Sequence, residues 1–187
     1  GLLGLMLPAA TSVRSLSLEN NMLGPEGGAV LAEGLKGNST LQVLNVRYNT
    51  ITGDTADRLA TVVLEHAIMT DFCGIPLTSL RENSITELDL QQKVVGVPGA
   101  IVISKLMPSA AALTSLNLGF NQIGVQGATK LAAILKETNI TNLTLANNLL
   151  CGIARWSGTY TAEGIIKVCE GLKGSAVTSL NLEDNYI

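Results

Sequence analysis

One pattern of eleven residues occurs five times in this chain of 187 residues. An apolar residue is followed three positions later by a second and two positions after that by a third. Asparagine comes three positions further on, and an aliphatic residue two after that. Because alternate side chains of a strand share a face, the second and third apolar residues predict the buried face of a short strand. The copies, which begin at Val13, Leu41, Leu113, Ile140 and Val177, predict stacked repeats with a shared core.

The spacing of the copies indicates how many repeats the chain contains. We mark each repeat by its second apolar residue, and the intervals between successive regular repeats are then 27 or 28 residues. Two further strands fit this spacing, one marked by Leu88 and a degenerate one marked by Phe72. The sequence therefore predicts about seven strands. The markers of repeats one to seven are Leu16, Leu44, Phe72, Leu88, Leu116, Leu143 and Leu180.

Two intervals depart from the regular spacing. Repeats three and four are separated by 16 residues, so residues 69–84 are predicted to form an abbreviated repeat. Repeats six and seven are separated by 37 residues, which predicts a loop insertion over residues 150–161.

A helical pattern follows the regular strands. In residues 125–136 the apolar positions are i, i+3, i+4 and i+7, which is one face of a helix. Residues 27–36 and 164–173 repeat this pattern.

The segment 121–136, which is followed by Asn139 before the next strand, resembles the ribonuclease-inhibitor type of leucine-rich repeat. Similar repeats occur in the sensor regions of NOD-like receptors and in Ran GTPase-activating proteins. The resemblance covers nearly the whole chain. It implies an α/β solenoid, or horseshoe, with a parallel β-sheet on the concave face and α-helices on the convex face. It also implies a single domain over residues 1–187 whose function lies in its surface.

The repeated asparagines have a structural interpretation. A buried Asn side chain can bond backbone groups that a turn leaves unpaired, so stacked copies predict a ladder. Leu77 and Lys93 occupy the equivalent positions in repeats three and four, where the ladder is predicted to be broken. The ladder residues are Asn21, Asn49, Asn121, Asn148 and Asn185.

The two ends of the sequence resemble interior parts of the repeat. Residues 5–13 align with residues 105–113, which predicts that residues 1–12 are the end of a preceding repeat. Residue 187 follows a predicted strand and precedes the helix of that unit. We expect a segment of a longer solenoid, or ends that further repeats or neighbouring subunits cover.

Composition narrows the classes of partner. Net charge is −3 with no block of either sign, which argues against a nucleic-acid partner bound through its phosphates. No apolar run approaches the roughly 20 residues of a membrane helix, so no membrane insertion is expected. The three cysteines are odd in number and lack metal-type spacing, which favours an intracellular, cytoplasmic setting.

Catalytic motifs are not found in the sequence. The single histidine, His66, is predicted near the end of a helix as a solvated or helix-end residue, and no metalloprotease, hydrolase or phosphate-binding motif occurs. We therefore expect a protein that is not an enzyme and has no cofactor or metal.

The outward strand positions predict a polar, nearly neutral and amide-rich concave surface. Cys73 and Ile75 are expected among these outward residues. Tyr48 and Phe120 are the best anchor candidates, because the core does not require an aromatic residue there; the alternative is that both pack over the turn. The residues predicted to bind a partner on this surface are Asn45, Arg47, Tyr48, Asp89, Gln91, Asn117 and Phe120.

The insertion at 150–161 is a second candidate surface. It contains Arg155, Trp156 and Tyr160, and these residue types dominate interface energetics. The alternative is a loop that folds Trp156 over its own repeat.

These observations predict a non-catalytic scaffold that binds a protein partner through the concave face and the 150–161 loop. Two alternatives remain. A GTPase-activating protein resembling the Ran activators would use Arg47 with Asn20 or Asn147. A structural subunit of a large assembly would have both ends covered by its neighbours.

Overall fold

The computed structural model describes residues 2–154 and 157–187. Short strands alternate with helices along this part of the chain. The strands are β1 (Ser15–Ser17), β2 (Val43–Asn45), β3 (Asp71–Phe72), β4 (Ile75–Pro76), β5 (Glu87–Asp89), β6 (Ser115–Asn117), β7 (Asn142–Thr144), β8 (Ile153–Ala154), β9 (Ser157–Gly158) and β10 (Ser179–Asn181). The helices are α1 (Leu2–Ala9), α2 (Gly24–Lys36), α3 (Asp54–Glu65), α4 (Leu77–Arg81), α5 (Gly96–Leu106), α6 (Gly124–Ala132) and α7 (Glu163–Leu172), with 3₁₀ turns at Met107–Ser109 and Leu135–Glu137.

The predicted marker residues lie side by side on parallel strands. Leu16 is level with Leu44, and Leu44 with Phe72, in the first sheet. The markers of repeats four to seven are likewise level in the second sheet, which has the order β5-β6-β7-β10. The α/β solenoid with about seven marker strands is therefore confirmed.

The structure divides the expected sheet in two at the abbreviated repeat. After Phe72, Cys73 and Gly74 have φ of 53° and 84°, and two consecutive residues in this region form the tight turn typical of hairpins. The chain reverses, and β4 pairs antiparallel with β3. As a result β5 has a strand neighbour on one side only within the described residues.

The hairpin also overturns two expectations about side chains. Cys73 and Ile75 were predicted to face the concave surface, but they are 1% and 0% exposed. Because the turn redirects the chain, Ile75 joins the core, and the Cys73 Sγ accepts a hydrogen bond from the Val46 backbone N–H at 3.3 Å.

The helical layer continues across the division of the sheet. Helix α3 packs directly against α5, because α4 has five residues and does not separate them. Helix α5 is buried along most of its length, which explains why it is apolar on all sides.

Polar contacts between α6 and the start of α3 close over α5. The Gln126 side chain donates to the Gly53 carbonyl at 3.0 Å and accepts from the Gly53 N–H at 2.8 Å. Lys130 pairs with Asp57 at 2.6 Å, and Gln126 also donates to that carboxylate. We call these four residues the α3–α6 clasp.

The asparagine ladder forms as predicted. In repeat six, the Asn148 side-chain oxygen accepts from the Asn121 and Ile123 N–H groups, and its amide donates to the Leu118 and Ala146 carbonyls. Asn49, Asn121 and Asn185 bond the preceding repeat in the same way. Neither Leu77 nor Lys93 has a side-chain hydrogen bond to the preceding repeat in the described chain, so the ladder is interrupted where the sequence predicts.

Among the described residues, no helix combines the length and the apolar character that crossing a membrane requires.

Candidate protein-binding surface

Each regular strand ends in a turn with two left-handed residues. Such backbone is uncommon outside glycine. In five of the six turns the residue between the two is a ladder asparagine that bonds the turn, and in repeat four it is Lys93. We call the row of turns at the carboxyl ends of the strands the rim. The first left-handed residues are Asn20, Tyr48, Gln92, Phe120, Asn147 and Asp184, and the second are Met22, Thr50, Val94, Gln122, Leu149 and Tyr186.

Both candidate anchors lie at the surface of the rim. Tyr48 is 50% exposed and Phe120 is 39% exposed. A regular backbone position therefore holds each aromatic ring partly in solvent, where it is available to a partner.

A local hydrogen bond orients the polar residues of the concave face. The side-chain oxygens of Asn45, Asp89 and Asn117 each accept from the backbone N–H two residues later, at 3.0–3.1 Å. This Asx-type bond fixes the side chain. The Asn45 amide also donates to the Glu19 carboxylate at 2.8 Å, and the Asn117 amide to Gln91 at 3.4 Å.

The concave surface is acidic rather than nearly neutral. The charged residues of this surface lie at the outward strand positions and at the first two residues of each following turn. These positions hold one basic residue, Arg47, and six acidic residues. The ion pairs found in the described chain all join helix residues, so none neutralises this surface. The outward residues considered in the sequence analysis did not include Asp71 and Glu87, which lie one residue before the markers Phe72 and Leu88. They therefore understated the negative charge of the concave surface. The acidic residues are Glu19, Asp71, Glu87, Asp89, Glu183 and Asp184.

Arg47 is held at the division of the sheet. Its Nε and Nη2 atoms donate to the Cys73 carbonyl at 3.2 and 2.8 Å, and the residue is partly buried. Gly74 leaves room for it, because a Cβ at Gly74 would lie 2.6 Å from Arg47 Nη2.

The 150–161 insertion contains a second, separate hairpin, in which β8 pairs antiparallel with β9. Tyr160 is 55% exposed beyond this hairpin. The other two candidates of the insertion, Arg155 and Trp156, lie outside the described residues.

The sequence analysis missed exposed apolar residues at the second left-handed position of the rim. Met22 is 89% exposed and Tyr186 is 48% exposed. Their signal was available, since each directly follows a ladder asparagine.

His66 lies at the carboxyl end of α3, as predicted, but it is not solvated. It is 8% exposed, and neither ring nitrogen has a hydrogen-bond partner in the described structure.

The comparison with known protein families agrees with this geometry. A family model described as "Leucine Rich repeat" matches residues 9–32, 37–60 and 112–132. The chain contains leucine-rich repeats. The length of the repeats and their full helices are consistent with the ribonuclease-inhibitor-like class, and leucine-rich repeats form protein-interaction domains.

Among solved structures, the chain is similar to a tropomodulin C-terminal domain from Caenorhabditis elegans. Identity is 12%, the match covers 92% of this chain and 90% of that chain, and the TM-score is 0.41. No curated protein matches the sequence.

Proposed function

We propose that this leucine-rich repeat protein is a non-catalytic scaffold that binds a protein partner through its concave face and the 150–161 loop. The observation that carries the proposal is the unneutralised acidic charge of the concave face beside the half-exposed rings of Tyr48 and Phe120. A surface of this kind is complementary to a partner that carries positive charge and presents an apolar contact to the rim.

The geometry favours scaffold binding over the GTPase-activating alternative. That alternative relies on Arg47, whose guanidinium is bonded to the Cys73 carbonyl through two nitrogens. An arginine that stabilises a substrate phosphate needs its donors free for that charge.

The proposal is tested by affinity capture from the native source with matched variants. The concave variant combines Glu87→Gln with Asp89→Asn, which removes charge and preserves shape. The convex control combines Glu26→Gln with Glu137→Gln, which removes the same charge from exposed helical positions. We expect mass spectrometry to find proteins retained by the wild type and the control but reduced at least about tenfold with the concave variant. Equal retention by both variants would overturn the proposal.

The aromatic anchors are tested by Phe120→Asn and Tyr48→Asn. Asparagine already occupies the equivalent left-handed position at Asn20 and Asn147, so these changes remove the ring without straining the turn. We expect each variant to lose a captured partner while its thermal midpoint stays close to that of the wild type. Unchanged capture by both variants would remove the rings from the interface.

The structural-subunit alternative is supported by the apolar layer at the end of repeat seven. Val177, Leu180 and Leu182 are partly exposed, whereas the equivalent residues of repeat five are 1% exposed or less. We propose that a further repeat or a neighbouring subunit covers this layer. Analytical ultracentrifugation tests the proposal: a monodisperse monomer at high concentration, with no binding of an apolar dye, would contradict it.

A further inference from the structure

The abbreviated repeat leaves the turn of repeat two without its usual neighbour. In repeat one, the N–H groups of Asn20, Leu23 and Gly24 donate to the Arg47 carbonyl, the Asn49 side chain and the Asn49 carbonyl. Each acceptor belongs to the turn of the next repeat.

Repeat five has the same three bonds. Phe120 donates to the Ala146 carbonyl, Ile123 to the Asn148 side chain and Gly124 to the Asn148 carbonyl. The first two donors pair with the next turn in each of repeats one, four, five and six, and the third does so in repeats one, four and five.

In repeat two, the equivalent donors are the N–H groups of Tyr48, Ile51 and Thr52. None of them forms a hydrogen bond within the described residues, because the chain after Phe72 turns back as a hairpin. Ile51 is 4% exposed, and buried backbone donors are paired in nearly all proteins. The turn of repeat two thus presents three donors arranged for a carbonyl, a side-chain oxygen and a second carbonyl.

These donors lie along a groove in the rim. The groove has a volume of about 460 Å³ and is lined by residues 46–52 of repeat two and 94–98 of repeat four, with Asn20, Gln122, Gly124 and Leu149. Its walls include Ile51, Val95 and Pro98, so it is mainly apolar. Thr50 and Val94 are the second left-handed residues in the turns of repeats two and four, between which the regular turn of repeat three is missing. Both are β-branched, with φ of 49° and 51°. The same left-handed conformation occurs at the second position of the other turns of the rim, so it belongs to the repeat and does not by itself mark the groove.

One basic side chain lines this groove, and a second lies near it. Arg47 lines it, and Lys93 Cδ lies 4.0 Å from the position of a Cβ at Gly74, where Arg47 Nη2 is also close. Neither residue belongs to an ion pair of the described chain. Two acidic groups are near this region: the Asp71 Oδ1 accepts from the Gly74 N–H, and the Glu19 carboxylate accepts from the Asn45 amide. Arg47 Nε and Nη2 are bonded to the Cys73 carbonyl, so it is the positive charge of the two basic side chains, and not a direct bond from those two atoms, that favours an anionic oxygen in the groove, in contrast to the acidic concave face.

We propose that the rim groove binds an extended segment of a protein partner in which an aspartate is flanked by apolar residues. The segment takes the place of the missing turn. Its aspartate carboxylate accepts from the Ile51 N–H, as the ladder asparagine does in regular repeats, and its carbonyls accept from Tyr48 and Thr52. The flanking apolar side chains contact the walls of the groove. This inference shares with the proposed function only the assumption that the partner is a protein.

The test is an NMR titration of the ¹⁵N- and methyl-labelled protein with three peptides: acetyl-Leu-Asp-Leu-amide, acetyl-Leu-Asn-Leu-amide and acetyl-Leu-Lys-Leu-amide. We expect saturable shifts of the Tyr48, Ile51 and Thr52 amides and the groove methyl groups with the Asp peptide. The Asn peptide should bind at least about fivefold more weakly, and the Lys peptide should not saturate. No saturable shift with the Asp peptide at about 10 mM, or equal binding of the three peptides, would overturn the inference.

Two variants with matched controls locate the site. Thr52→Trp fills the groove and is compared with Thr78→Trp on the exposed side of α4; Lys93→Glu reverses a charge beside the groove and is compared with Lys136→Glu. We expect only the two groove variants to weaken the Asp peptide, by at least about fivefold. Equal weakening by the controls would place the peptide elsewhere. Because the titration needs no natural partner, its failure is distinguishable from failure of the capture experiment.

Discussion

An asparagine in the middle of the ladder contributes more to stability than an asparagine at its end. Asn148 bonds four backbone groups and is fully buried, whereas the Asn21 side chain is exposed and donates within its own turn. Removing a buried partner leaves the bonded groups unsatisfied, so the penalty follows the number of buried bonds.

We predict that Asn148→Ala lowers the free energy of unfolding by about 3–5 kcal/mol, because four backbone groups lose their partner. Asn21→Ala is the control and should lower it by less than about 1 kcal/mol. Urea unfolding followed by circular dichroism measures both. Equal losses would mean that the ladder does not stabilise the stack.

The three cysteines should differ in reactivity. Burial raises the pKa of the Cys73 thiol to about 12, and burial also raises the pKa of Cys151, while Cys169 is exposed. Since the thiolate is the nucleophile, iodoacetamide at about pH 8 should modify Cys169 first in the native protein and all three cysteines in denaturant. Peptide mass spectrometry identifies the modified residue. Early modification of Cys73 in the native protein would contradict its burial.

The raised pKa of Cys73 also predicts a pH dependence. The unfolded chain ionises this thiol above about pH 8.5, whereas the folded chain keeps it protonated until about pH 12. The unfolded state then binds fewer protons, so stability falls as pH rises through this window. Cys73→Ala should be less sensitive to pH over the same range, measured by urea unfolding at each pH.

At the scale of elements, the β3–β4 hairpin depends on Gly74. Its φ of 84° is unfavourable for other residues, and the place of a Cβ is occupied by the Arg47 guanidinium. Gly24 also has positive φ, but nothing lies within 4 Å of the position of its Cβ. A side chain at Gly24 would meet backbone strain alone, whereas a side chain at Gly74 would meet backbone strain and a steric clash. Comparing substitutions at the two glycines therefore distinguishes the two effects.

We predict that Gly74→Ala lowers the free energy of unfolding by about 2–3 kcal/mol and Gly24→Ala by about 1 kcal/mol, because only the first displaces Arg47. Denaturant unfolding measures the difference. A loss at Gly24 as large as that at Gly74 would show that the Arg47 contact contributes little.

The elements also show where sequence patterns were sufficient. The 3.6-residue pattern of residues 125–136 predicted a helix there, since one periodic face buried against a neighbour is enough to define a helix. The structure forms α6 over Gly124–Ala132 and continues the segment as a 3₁₀ turn at Leu135–Glu137. The hairpin was missed because its strands have two residues each, which is too short for an alternating pattern. Cys73 and Ile75 were placed on the wrong face for the same reason.

At the scale of the whole molecule, the α3–α6 clasp joins helices that are not consecutive in the layer. The Asp57 carboxylate accepts from both Lys130 and Gln126. The Asp57 and Lys130 side chains are 33% and 42% exposed, so the ion pair is partly screened by solvent.

We predict a coupling energy of about 0.5–1 kcal/mol between Asp57→Ala and Lys130→Ala in a double-mutant cycle, falling as salt is raised. The Lys167–Glu170 pair lies within one helix, where both side chains are exposed, and is the control with a smaller expected coupling. Urea unfolding of the four proteins of each cycle measures the coupling. No coupling between Asp57 and Lys130 would show that the clasp follows from packing of α5 and does not stabilise it.

The sequence by itself determined the repeat, the marker strands, the asparagine ladder and the position of its interruption. These features follow from periodicity, because equivalent residues recur at a fixed spacing and each packs against or bonds its equivalent in the next repeat. Only the tertiary structure decided what happens at residues 69–84, since no periodic neighbour exists there. The hairpin, the division of the sheet, the burial of Cys73 and Ile75, the clasp over α5 and the unpaired donors of repeat two all depend on which distant segments meet when one regular turn is missing.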